Sequence, residues 1–95
     1  MKIIELDFSG CKYLYDLHEK IKVAFDFPEW YGKNWSAFWD LLWSECDAEK
    51  VIIKGENQLP DELKVFLPKI HEILERNVKF HKDMNLPDFT YEIID

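Results

Sequence analysis

The sequence predicts an α/β domain in which a small, mostly parallel sheet of three strands packs with three to four helices, in the order β-α-α-β-α-β. Three observations point to it. Short apolar runs rich in branched residues, at 2–8, 51–54 and 89–94, alternate with longer segments whose apolar residues recur every three to four positions. Strands separated by helix-length segments call for helical crossovers, and hence for a mostly parallel sheet. A chain of 95 residues that is 47% apolar can build one core and is too short for two, so residues 1–95 are read as a single domain.

The first strand, 2–8, carries Ile3, Ile4, Leu6 and Phe8 and ends at Ser9 and Gly10. Helix 13–25 follows, with Leu14, Leu17, Ile21, Ala24 and Phe25 at helical spacing. Pro28 stops it and biases Phe27 to extended backbone. Residues 28–33 form a loop in which Gly32 is expected to supply a conformation that other residues avoid, and Asn34 caps the next helix.

That second helix runs from 35 to about 46. At 100° per residue, Trp35, Phe38, Leu42 and Cys46 share a core face, while Ser36, Asp40, Trp43 and Asp47 share a flank and Trp39 lies between. After the strand at 51–54, closed by Gly55, a third helical region covers 60–80, with Pro68 predicting a kink or a break. A loop over 81–88 leads to the last strand.

Composition narrows the chemistry. Nineteen Asp and Glu against twelve Lys and Arg give a formal charge of −7, which disfavours nucleic acid and anionic lipid. The balance suits either a basic partner or simple solubility. Cys11 and Cys46 lie far apart and are read as buried free thiols. No signal peptide or membrane-length run is recognised, and a cytoplasmic protein is expected.

His18, His71 and His81 have no nucleophile pattern around them and are read as solvated helix residues. His18-Glu19 and His71-Glu72 lack the second His of a zinc-protease helix, and no Cys or His set has metal-ligand spacing. Three Gly in the whole chain exclude a glycine-rich phosphate loop. No cofactor or metal is expected, and a hydrolase is the weakest of the function classes.

The segment around the second helix stands out. Trp30, Trp35, Trp39 and Trp43 accompany Asp40, Glu45, Asp47 and Glu49, and no base occurs between Asn34 and Glu49. Trp and Tyr anchor interfaces because they bring large rigid area at low entropy cost. A carboxylate beside them can take the forked hydrogen bonds of an Arg. Trp35 is assigned to the core, and Trp43 stays open between core and surface.

Asp16-Leu17-His18, then Pro28-Glu29-Trp30-Tyr31-Gly32-Lys33-Asn34, then Ala37-Phe38-Trp39-Asp40-Leu41-Leu42 resemble the barstar family, whose pattern is D-L-H, P-x-Y-Y-G-x-N and A-L-W-D at the same separations. The likeness is strong over residues 16–42 and returns at the last strand. It implies three parallel strands against helices, and an inhibitor that blocks a secreted or injected ribonuclease inside the producing cell. The second helix and its preceding loop would enter the nuclease active site, with acids standing where RNA phosphates bind.

By matching position the resemblance implies partner contacts at Trp30, Asn34, Trp35, Trp39 and Asp40, with Asp40 the central carboxylate, and a looser one at Glu72. Ser36 stands where the family often has an acid, and Trp43 and Asp47 are placed to compensate. The stretch 77–88 is longer than in the family archetype. These departures suggest a different cognate nuclease and poor binding to the archetypal one. The expected partner is a basic ribonuclease toxin, bound one to one by a monomer. A binding module for another target and a homodimer built on the Trp-rich face are the competing readings.

Overall fold

The computed structural model describes residues 2–95. Its strands are β1 (Ile3–Asp7), β2 (Lys50–Lys54) and β3 (Thr90–Ile93), and its helices are α1 (Leu14–Phe25), α2 (Trp35–Glu45), α3 (Asp61–Lys64) and α4 (Leu67–Asp83). A short 3-10 turn, Glu56–Gln58, follows β2. The sheet order is β1-β2-β3 and both pairs are parallel, with Leu6 beside Ile53 and Ile53 beside Ile93. This is the α/β arrangement that the element order and the family resemblance predict.

Alternation explains which face is covered. Ile4 and Leu6 of β1 and Val51 and Ile53 of β2 point inward and are buried. Glu5 and Glu92 point the other way and pair with Lys54 (3.1 Å) and Lys50 (3.6 Å) across the open face. The inner face packs on Leu17 and Ile21 of α1, Phe38 and Leu42 of α2, and Ile70, Ile73 and Leu74 of α4, all with the core cluster.

The start of α1 is closed by Asp16, whose Oδ2 accepts from the backbone N–H of Lys12 (2.9 Å) and Tyr13 (3.0 Å). These two bonds hold its carboxyl below the usual range. Gly55 closes β2 at φ 79°, and a Cβ there would lie 2.8 Å from the Ser9 backbone nitrogen, so both conformation and space require glycine.

Several expectations are corrected. The third helical region does break, but at Val65 and Phe66 rather than at Pro68, which sits in the first turn of α4. Proline is tolerated there because its missing N–H would have no intrahelical acceptor. That helix also continues through His81 and Lys82, whose positive or polar ends suit a helix C-terminus, so the expected loop begins later.

None of the three His residues is freely solvated. His18 is buried, while His71 and His81 are half-buried. His71 Nε2 lies 2.6 Å from Glu56 Oε2, and His81 Nδ1 lies 2.8 Å from the Pro87 carbonyl oxygen. Cys11 is buried and Cys46 half-buried, both as free thiols.

Candidate functional site

Phe27 and Tyr31 are buried on either side of the loop that precedes α2, and the Tyr31 N–H closes a turn on the Pro28 carbonyl (2.9 Å). With both flanks pinned, the tip between them projects outward, and Trp30 is 71% exposed. Tyr31 is held from below. Its hydroxyl is hydrogen-bonded to His18 Nδ1 at 2.8 Å, and the His18 ring lies 4.5 Å from that of Trp35. Burial lowers the His18 pKa, helped by Lys33, and raises that of Tyr31, so both groups of this pair are held neutral near pH 7.

Asn34 completes the joint. Its Oδ1 accepts from the Ala37 N–H (2.8 Å), and its Nδ2 donates to the Gly32 carbonyl (3.3 Å). The left-handed residue of this loop is Lys33, at φ 51°, and not Gly32. Gly32 instead leaves room: a Cβ there would approach Asn34 Nδ2 to 3.1 Å. The conformational role expected of Gly32 is therefore misplaced by one residue.

On α2 the three tryptophans at 35, 39 and 43 run down the side that meets α4 and its flanks. Trp35 packs near Phe66 (6.0 Å), Trp39 meets Phe80 edge-on (6.3 Å), and Trp43 lies 5.8 Å from the same ring. Trp35 and Trp39 are half-buried, and Trp43 remains 46% exposed. Leu41, which the wheel did not assign to the core face, is buried.

Ser36 and Asp40 face solvent. Asp40 forms the ridge between two grooves. One, of about 170 Å³, is shared with Ser36, Trp39, Lys69 and Arg76 at the α2–α4 junction. The other, of about 370 Å³, is shared with Trp30, Gly32 and Glu45 beside the loop. The structure thus brings Trp30, Ser36, Trp39, Asp40 and Trp43 onto one side of the molecule's second helix, with Asn34 and Trp35 setting its position.

Asp47 is a correction. The helix ends at Glu45 and Cys46 turns to extended backbone, so the wheel no longer applies two residues further on. Asp47 instead binds Lys2 Nζ at 2.8 Å, and that bond lowers its pKa. It does not join the Ser36–Asp40–Trp43 flank. Glu72 lies on α4 between Lys69 (4.0 Å) and Arg76 (3.6 Å).

Lys69 and Arg76 carry no motif in the sequence. Their signal is a spacing of three and four around Glu72 on one helix face, which becomes meaningful only once α2 is known to lie beside it. Among the described residues no group of three or more His, Cys, Asp and Glu is placed to hold a metal, and no helix is long and apolar enough to cross a membrane. What the surface offers is an exposed aromatic, a carboxylate raised between two grooves, and adjoining indole faces. Such a set suits recognition of a cationic protein site.

The family described as Barstar (barnase inhibitor) matches residues 1–91. A Bacillus subtilis (strain 168) protein described as "Putative ribonuclease inhibitor YrdF" is similar, at 27% identity over an alignment of 90 residues that takes in 70% of this chain and 99% of the relative.

Proposed function

The chain belongs to the barstar family, and from that premise we propose that it is a cytoplasmic protein inhibitor that neutralises a basic ribonuclease toxin in a one-to-one complex. It has no turnover of its own and works by occupying the nuclease active site. The observation that carries this reading is the position of Asp40, exposed on a ridge between two grooves with the exposed Trp30 across one of them.

The formal charge of −7 speeds encounter with a basic nuclease, an effect that weakens as salt rises. On docking, Asp40 pairs with active-site cations that otherwise hold RNA phosphate. Trp30 packs over the same site, and the outer edges of Trp39 and Trp43 shield the pair from water. Ser36 lines the interface without a charge, and Glu72 meets its margin. Asn34 and Trp35 act mainly by holding the loop and α2 in register.

The test is a pull-down from the lysate and culture medium of the source organism, with tagged wild type beside Asp40→Ala and an assay of RNA cleavage on the eluate. Retention by wild type alone of a small basic protein that cleaves RNA once released is the expected result. Equal retention by both baits, or a captured partner without ribonuclease activity, overturns the reading.

A further inference from the structure

The groove between α2 and α4 is where the proposed face presents cations. Lys69 and Arg76 line it, with Asp40 as the one carboxylate of the lining and Glu72 beside both cations. Neither cation is closely paired. The Arg76 guanidinium carbon lies 5.0 Å from the centre of the Trp39 ring, a cation–π contact that holds it against α2. Its Nη2 is 3.6 Å from Glu72 Oε1, and Lys69 Nζ is 4.0 Å from the same oxygen. Both separations exceed a good charge-assisted hydrogen bond, so most of the N–H donors of both residues remain free. The side chains are 48% and 43% exposed, and the Ser36 hydroxyl adjoins them in the same groove.

A space of about 170 Å³ accommodates a carboxylate with an attendant water or two. A purely cationic nuclease surface would meet like charge here, which interfaces avoid. Taking the chain as a ribonuclease inhibitor, we infer that its cognate nuclease presents an Asp or Glu side chain into this groove, received by Lys69, Arg76 and Ser36, next to the cation that pairs with Asp40. The interface then reads a pair of opposite charges on the partner, and Lys69 and Arg76 are determinants of which nuclease is accepted.

The sign of the effect makes the test sharp. Removing positive charge from an inhibitor of a uniformly basic site tightens binding. Removing it from a carboxylate receptor weakens binding. With the ribonuclease retained by wild type as the probe, Lys69→Gln and Arg76→Gln are each expected to weaken inhibition about tenfold, and Arg76→Lys less so. The loss should vanish against one particular Asp→Asn or Glu→Gln variant of that nuclease.

Thermal unfolding of each variant checks its fold, and Lys69→Gln, at a partly exposed position outside the core, carries the test alone if Arg76 variants are damaged. If wild type retains no ribonuclease, or Asp40→Ala binds as wild type does, the inhibitor reading fails and this inference with it. If Asp40→Ala weakens binding while Lys69→Gln and Arg76→Gln tighten it or leave it unchanged, the inference alone is overturned.

Discussion

Tyr31 and Trp30 are adjacent in the chain, yet Tyr31 is buried in a hydrogen bond to His18 while Trp30 is 71% exposed. The same division runs through the whole module. On the inner side, His18, Tyr31 and the half-buried Trp35 fasten α1, the loop and α2 to one another, and the exposed Asn34 caps the joint with its side chain turned back on the backbone. On the outer side, Trp30, Ser36, Asp40 and Trp43 make few intramolecular commitments. One short motif therefore serves two ends: its fastening members determine where the outward ones stand. A substitution inside should be read mainly in stability and one outside mainly in binding.

The largest separation of the two readouts is expected at Asp40→Ala. Truncation leaves partner cations buried without a counter-charge and should cost about 2–5 kcal/mol of binding. Because Asp40 is exposed, the thermal midpoint should stay within the small range typical of surface positions. A large loss of stability would break the division.

Tyr31→Phe probes the inner side. It removes the partner of a buried His18 nitrogen, so unfolding free energy should fall by about 1–3 kcal/mol in urea titrations. Its effect on binding should remain smaller than that of Asp40→Ala. Asn34→Ala deletes the α2 cap and should cost about 1 kcal/mol by the same measurement, and Asn34→Asp, which keeps the acceptor, should recover most of it.

The pH dependence is the mildest test. The folded His18 pKa is depressed by burial, so the folded state resists a proton that the unfolded chain accepts below its ordinary value near 6.5. The contribution is complete above that value and is lost as pH falls beneath it, at a slope of at most about 1.4 kcal/mol per pH unit. Urea midpoints taken between pH 7.5 and 5 should decline in wild type and flatten in His18→Gln. The depressed carboxyls of Asp7, Asp16 and Asp47 lose their contributions only in more acidic solution, below the ordinary Asp range, and do not confuse this window.

Much of the fold was legible because apolar period and branched residues carry it. β1, α1 and α2 follow from Ile4 and Leu6, from Leu17 and Ile21, and from Phe38 and Leu42. What was not legible depended on tertiary contact or on helix ends. His18 resembled a surface residue until Tyr31 closed over it. Pro68 looked like a breaker because the pattern cannot tell a helix interior from a first turn. A wheel extended past the end of α2 puts Asp47 on the Ser36–Asp40 flank, whereas the chain turns to extended backbone at Cys46 and Asp47 pairs with Lys2. The type of residue at 32 points to a left-handed turn at Gly32, yet Lys33 adopts it. Of the proposed site, Trp30 and Asp40 were visible from spacing and motif, whereas Lys69 and Arg76 needed the α2–α4 contact to acquire meaning.

Whether the α2 face closes the nuclease active site is read from a titration of RNA cleavage by the retained ribonuclease with purified wild-type chain. Cleavage should fall linearly to zero at one molar equivalent. Cleavage that persists at saturating chain, with the complex intact by sedimentation, would mean that the α2 face binds the partner without blocking its active site, and the chain would then not be an active-site inhibitor.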